Sequence, residues 1–506
     1  VKEMTKATGK RAADAAGKNG PESKSARLNA ALPEVQRERA LRFINFLTAA
    51  VTPFHAVSIG STMLHDAGFV RLEESSSWAG SLQPGGRYYY TRCDSTLVAF
   101  VVGGGYSPGG GFKVVGAHTD SPTLKCKPLT KHNGGSTESL TQLSVVTYGG
   151  GLWHTWFDRD LGIGGMVLTR AADGSLQKRL LSVHEPVLRV PALCIHLQTA
   201  DERASFNPNK ETQLVPVLCM SALREDQDKA APADGVFAGG QEQELLALIA
   251  RSLGVPPEEI TSMDLSLFDA NPPALGGSHS EFVFGGRLDN LASSFVALEA
   301  LINAAGALRA DDPDICCIAL FDHEEVGSSS TSGAGGPVMK EAISRIAEAF
   351  GGVPESEAVR IGAQRSFILS LDNAHAVHPN YRGKHEAAHR PLMGSGTVIK
   401  HNANQRYATD AITAYVVREL GRRADVGVQE FVVKNDCPCG STIGPIISTL
   451  VGIRTCDIGM PQLSMHSCRE MMGAADLTHC HDLLQRFFTD FREVDNTLAK
   501  CPPCGE

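Results

Sequence analysis

Ile315-Cys-Cys-Ile-Ala-Leu-Phe321, followed at once by Asp322-His-Glu-Glu325, decides how this chain is read. An unbroken apolar run of that length reads as a strand buried on both faces, the signature of a parallel sheet covered by helices. The same order, strand first and then a polar ligand type, recurs along the chain. Phe112-Lys-Val-Val115 leads to Gly116-Ala-His118-Thr-Asp120, and Ser366-Phe-Ile-Leu-Ser-Leu371 leads to Asp372-Asn-Ala-His375. Gly452-Ile-Arg-Thr-Cys-Asp-Ile-Gly-Met460 stands a few residues before His466, and Asp289 lies in Gly285-Gly-Arg-Leu-Asp-Asn290. Strand ends in such sheets converge on one crevice, so residues remote in sequence can meet there. Two imidazoles with several carboxylates, and no cysteine required, suit zinc, manganese or cobalt in an open hydrolytic site.

A chain of 506 residues exceeds what one core holds and implies two large units or three small ones. Hydrophobic content of 42% and charged content of 20% are those of a globular protein. A formal charge of −9 argues against a nucleic-acid partner. No apolar stretch reaches the roughly 20 residues of a spanning helix, and no signal-peptide core follows the basic start. The 13 cysteines are scattered, often inside apolar runs such as Cys316-Cys317, which reads as reduced buried thiols in a cytoplasmic chain. Cys501-Pro-Pro-Cys504 has zinc or redox spacing but no second pair, and residues 496–506 read as a flexible tail. Residue 1 is Val, so a natural start upstream stays open.

Residues 1–30 are rich in Ala, Gly, Lys and Ser and read as a disordered basic arm. Order is expected to begin with a helix in which Leu41, Phe43, Ile44 and Leu47 share a face. Between Thr96 and His118, strand, glycine-rich loop and strand are expected to form a hairpin, since the loop lacks a Gly-Lys-Ser/Thr phosphate cradle. From 126 to 278 short alternating stretches punctuated by Gly, Asp-Gly and Pro predict a β-rich unit, with one helix near Gln241–Gly254 and a polar stretch over 229–235. After 279, strands alternate with long helical patterns. The expected fold is therefore α/β, a helix-flanked, mostly parallel sheet formed by 31–125 and 279–495 and interrupted by the β-rich insert.

Each candidate has a bland reading of its own. His118-Thr-Asp120 can be a surface pair, or a metal-ligating imidazole whose second nitrogen is held by the acid. Asp289, at a helix start, can be an N-cap. Glu324-Glu325 can be a solvated loop, but with Asp322 and His323 beside them their mutual repulsion calls for a cation. His466 alone would be an ordinary satisfied histidine, and Lys400 alone a surface lysine.

Eight segments, in order, resemble aspartyl aminopeptidases over residues 35–490: GAHTDSPTLKCKP from Gly116, WFDRDLGIGG from Trp156, LCIHLQ from Leu193, GRLDNLASS from Gly286, DHEEVGSSS from Asp322, LDNAHAVHPNY from Leu371, VIKHNANQRYATD from Val398 and PQLSMHSCREM from Pro461. The resemblance implies a cytosolic, zinc-exopeptidase-like enzyme that removes N-terminal Asp or Glu from peptides. It implies two divalent ions per subunit, zinc first, with cobalt or manganese possible. His118, Asp289 and Asp372 would hold one and Asp289, Glu325 and His466 the other. Glu324 would be the general base and Asp120 the residue that orients His118. Lys400 would meet the substrate carboxylate, with Tyr407 and His375 lining the same pocket. His196, placed in a strand of the insert, would reach a neighbouring subunit's site in a tetrahedral dodecamer built from dimers, which makes the insert a dimerisation domain. Cys437-Pro-Cys439 departs from the pattern near the metals, where a buried thiol is the simple reading. A metal-dependent amidase of non-peptide substrates, or a binding scaffold, are the other readings, and a peptide panel with metal analysis separates them.

Overall fold

The computed structural model describes residues 32–223, 239–351 and 354–501. The arm over 1–30, the stretch over 229–235 and Cys504 lie outside the described residues, while Cys501 is a free, exposed thiol.

Nine strands form the central sheet, in the spatial order Val70–Arg71, Arg87–Arg92, Thr96–Val102, Ile315–Phe321, Phe112–His118, Phe367–Leu371, Arg454–Gly459, Thr397–His401 and Val428–Val432. The four strands from Ile315–Phe321 to Arg454–Gly459 run parallel, with Phe321 beside His118 and Leu371 beside Ile458. Their carboxyl ends are thus level at one edge, and parallel pairing of continuous apolar runs produces this crevice without further instruction. Side chains alternate to the two faces. Val115, Ala117, Ile318, Leu369 and Ile458 pack on the helices Glu34–Ala49, Leu288–Ala305, Ala411–Ala424 and Ala474–Leu498. Val114, Cys317, Ala319 and Ile368 pack on Val338–Phe350 and Ile443–Val451. In the first helix Phe43 and Leu47 are buried and Ile44 leans on the core, but Leu41 is exposed.

The glycine-rich segment is not a hairpin. Ile315–Phe321 lies between Thr96–Val102 and Phe112–His118, antiparallel to the first and parallel to the second. The glycines make room for the chain that enters there. A Cβ on Gly103 would sit 2.2 Å from Asp312 O, and one on Gly104 2.1 Å from Ala310 O. The N–H groups of Gly103 and Gly105 donate to Asp314 O and Asp312 O, each at 3.0 Å. Local glycine content marks a close approach by a segment far along the chain, which no local pattern announces.

A second sheet, of six antiparallel strands, lies between residues 123 and 269 in the order Leu176–Leu188, Leu161–Arg170, Ile260–Asp269, Thr123–Thr137, Leu140–Tyr148 and Val217–Met220. Trp153, Trp156, Ile163, Val167, Leu245 and Ile249 contribute to its own core. Here the segment around His196 is a 3-10 turn, Ile195–Leu197, rather than a strand. Pro191 has no N–H to continue a ladder past Val190, and the chain turns out to solvent. A small five-stranded sheet, Ala274–Gly276, Phe282–Gly285, Glu470–Gly473, Pro461–Leu463 and Ala374–His375, closes the rim of the crevice.

Candidate metal centre

His118 ends its strand with the ring buried, and its two nitrogens have separate tasks. Nδ1 lies 3.1 Å from the backbone oxygen of Asp120 and 3.4 Å from Asp120 Oδ1. Nε2 is left to face Asp289 Oδ1 at 3.5 Å, Asp372 Oδ1 at 3.7 Å and Glu324 Oε2 at 3.9 Å. A ring held at Nδ1 presents Nε2 as the ligand atom. His466, in a left-handed conformation at φ 66°, repeats the arrangement: Nδ1 is 3.1 Å from Gly150 O, and Nε2 is 3.3 Å from Asp289 Oδ2 and 3.5 Å from Glu325 Oε1. Asp289 stands between the two imidazoles, one oxygen toward each. Its side chain caps no helix: Asp289 and Asn290, just inside the start of Leu288–Ala305, depart from helical geometry, and no side chain bonds that terminus.

Three sets of side chains could each surround one ion: His118, Asp289 and Asp372; Asp289, Glu325 and His466; and His118, Glu324 and Glu325. In each set the ligand atoms lie within 4.8 Å of one another. The first two share Asp289, as two ions bridged by one carboxylate would require.

Charge crowding gives the fit. Asp289 Oδ1 and Glu325 Oε1 are buried without any hydrogen-bond donor. Burial, reinforced by the carboxylates of Asp372, Asp120 and Asp289 and opposed by His118, pushes Glu324 up to about 8. Burial and Asp289 push Glu325 well above the usual carboxyl range. Burial would lower His466, but its hydrogen bond to the Asp289 carboxylate and the charge of Glu325 raise it to about 10. His118 is likewise raised against burial by Glu324 and its aspartate partners. These shifts share one cause, carboxylates crowded in a buried site, and a bound cation would relieve it. Hard carboxylate oxygens with two imidazoles are the donor set for zinc and its first-row neighbours, so the residues fit such ions.

The outer contacts fix these candidate ligands. Asp120 accepts the backbone N–H of Glu324 at 3.1 Å and of Glu325 at 3.0 Å, pinning the 3-10 turn Glu324–Val326. Burial would raise Asp120, but His118 and these donors hold it below the usual carboxylate range. Glu470, which sequence reasoning missed, takes the N–H of Asp289 at 3.1 Å on one oxygen and that of His466 at 2.7 Å on the other. The one hint in the sequence is an acid opening the apolar strand Glu470–Gly473. Tyr148, also missed, donates to Asp120 Oδ2 at 2.7 Å from the end of an insert strand.

Beside Asp372 lies a second group of side chains. Lys400, on the strand Thr397–His401, is 3% exposed, with Nζ 3.5 Å from Asp372 Oδ2 and 5.5 Å from the Tyr407 ring. It is no surface lysine. Tyr407 packs with Ala374, Val398 and Phe431, and Cys439 lies against the same group. His375 lines the solvent-reached wall, 5.7 Å from the Phe431 ring. The surrounding protein desolvates it and Lys400 repels its charged form, lowering it to about 4. The structure thus brings together His118, Asp120, Asp289, Glu324, Glu325, Asp372 and His466, with Lys400, Tyr407 and His375 alongside. It leaves His196 exposed on the insert, with no contact to this cluster among the described residues.

Residues 46–488 match the family described as "Aminopeptidase I zinc metalloprotease (M18)". The chain belongs to the M18 family. It is 43% identical over 479 residues to the "Probable aspartyl aminopeptidase" of Ricinus communis, an alignment covering 90% of this chain and 96% of that protein. It is 42% identical to the "Aspartyl aminopeptidase" of Aspergillus oryzae, covering 91% and 98%. Among solved structures, the "Cryo-EM structure of the Ape4 and Nbr1 complex" superimposes with a TM-score of 0.87 at 39% identity, covering 92% of this chain and 87% of that one. The "Structure of S. cerevesiae mApe1 dodecamer" does so at 0.82 and 30% identity, covering 93% and 100%. As an M18 aminopeptidase the chain is a hydrolase of a zinc metalloprotease family, and its family match includes every ligand candidate from His118 to His466. No described helix is long and apolar enough to cross a membrane.

Proposed function

We propose that this chain removes N-terminal aspartate or glutamate from peptides, using two divalent ions, zinc first. His118, Asp289 and Asp372 hold one ion and Asp289, Glu325 and His466 the other. The observation that carries this is the shared position of Asp289, whose two oxygens face two imidazoles from opposite ends of the chain. When bound, such ions lower the pKa of a water molecule and polarise a carbonyl. The protein's own part is positional and protonic. Glu324 Oε2, at the mouth of the His118 set, takes the proton from the attacking water and delivers it to the leaving amine. Asp120 fixes both the His118 ring and the backbone that carries Glu324. The Lys400 ammonium attracts the acidic side chain of the first residue, while Tyr407 and His375 shape the pocket around it.

In this reading residues 31–125 and 279–495 form the catalytic unit and 126–278 a dimerisation insert. Its exposed Leu193, Ile195 and Leu197 flank His196 and suit burial against a second copy, whose site His196 would enter. The related S. cerevesiae mApe1 is a dodecamer, which supports a tetrahedral assembly of such dimers. The free cysteines of the described residues suit a cytoplasmic setting. Hydrolysis of Asp-, Glu-, Leu- and Lys-initiated peptides, with and without chelator, tests the function. Chelator-sensitive release of Asp and Glu is expected; equal rates on Leu peptides would contradict it.

A further inference from the structure

One insert segment touches the metal centre at several independent points. Tyr148 donates its hydroxyl to Asp120 Oδ2 at 2.7 Å. Gly150 O holds His466 Nδ1 at 3.1 Å, and Leu152 N donates to His466 O at 2.9 Å. Thr155 Oγ1 accepts Cys468 N at 2.9 Å, two residues beyond His466. Gly149, at φ 74°, passes so close that a Cβ there would stand 3.1 Å from Glu325 Cβ. Trp153, inside this segment, and Trp156, directly after it, belong to the core of the antiparallel sheet, which anchors the segment in the insert.

We infer that Tyr148–Thr155 is a clamp by which the insert sets the metal centre, with Tyr148 as its positioning residue acting through Asp120. The clamp presupposes the ligand sets proposed above. Asp120 is the hub: its carboxylate accepts Tyr148, Glu324 N and Glu325 N, and its other contacts hold His118. Loss of the hydroxyl removes one of the three donors that fix the Asp120 carboxylate and loosens the turn that carries both the base and a ligand. The ring of Tyr148 is independently supported, lying 5.3 Å beneath Lys125 Nζ and 6.5 Å from the His323 ring, so Tyr148→Phe removes the hydrogen bond and keeps the packing. On the far flank, Gly149→Ala crowds Glu325 in a backbone region that disfavours a side chain. The insert and the centre thereby become one mechanical unit, so displacement of the insert is transmitted to His466 and to the Glu324 turn.

The test uses the full-length, metal-loaded protein. Tyr148→Phe is expected to lower kcat about 10–100-fold with KM within about two-fold, to weaken metal retention by a similar factor, and to alter the visible absorption of the cobalt-substituted protein. Tyr148→Ala should do no worse in kcat than a few-fold beyond Tyr148→Phe. Wild-type kcat, metal affinity and cobalt spectrum in a folded Tyr148→Phe protein would overturn the clamp. Parallel measurement of His466→Ala separates the two ideas: if it too keeps its full metal content, the ligand assignment itself has failed.

Discussion

Lys400 Nζ lies 3.5 Å from Asp372 Oδ2, so the lysine of the proposed substrate pocket is also the neighbour of a proposed metal ligand. A buried ammonium in that position faces two partners: the ligand carboxylate on one side and, in the proposed reaction, the acidic side chain of the substrate on the other. Lys400→Ala should therefore act twice. The preference for Asp and Glu over neutral first residues should fall at least ten-fold in kcat/KM, since a desolvated charge pair is worth more than about 1.5 kcal/mol. Metal retention should fall as well, because Asp372 loses its orienting partner. A peptide panel with metal analysis reads both, and an unchanged preference would remove Lys400 from the pocket.

Glu470 ties the two ends of the centre together by accepting the N–H groups of Asp289 and His466. Glu470→Leu keeps the volume but strands both donors. We expect a loss of about 10–100-fold in metal affinity, measured as ion content after dialysis against graded chelator. Unchanged retention would show that these backbone bonds do not hold the ligands.

Crowded carboxylates make the metal a stabiliser of the fold. Chelation should lower the melting temperature, and free ion at about 100 times its dissociation constant should restore roughly 2.7 kcal/mol. Differential scanning calorimetry with and without chelator decides this, and identical transitions would argue that no ion is bound there.

His55 supplies a separate pH dependence. It is buried, bonded through Nδ1 to Thr52 Oγ1 at 2.8 Å, and faced by Arg287 and by His184, which carries charge only when protonated. Burial first, and then those charges, lower its pKa from 6.5 to about 4. The neutral ring is the native form, and the unfolded chain binds its proton first. Its contribution is therefore complete above pH 6.5 and is lost as pH falls toward 4. The shift is worth roughly 2 kcal/mol at pH 5. Denaturant unfolding at pH 7 and pH 5 should show a smaller loss in His55→Gln than in wild type by about that amount. Equal losses would assign the acid sensitivity elsewhere.

The candidate ligands His118, Glu325 and Asp372, with Glu324, are legible in the sequence because each ends or follows a continuous apolar strand, and parallel pairing brings such strand ends together. Asp289 and His466 instead follow strands of the small five-stranded sheet. Phe321 beside His118 and Leu371 beside Ile458 are the registers that convert that pattern into a site. Glu470 and Tyr148 are not legible, because they act by hydrogen bonds that span 181 and 28 residues and have no periodic or spacing signature. The glycine-rich loop misleads for the opposite reason. Its local chemistry is that of a turn, and the strand that separates its neighbours comes from residues 315–321. His196 reads as strand because apolar residues surround it, yet Leu193, Ile195 and Leu197 are exposed, a surface pattern that one chain alone does not explain.

Glu324→Gln is the decisive variant for the proposed chemistry, with turnover of an Asp-initiated peptide and metal content measured on the same sample. The substitution preserves shape and the backbone bond to Asp120 but removes the proton acceptor. Two ions per chain should be retained, with kcat reduced about 10²–10⁴-fold. Full turnover with the metal in place would show that Glu324 is not the base.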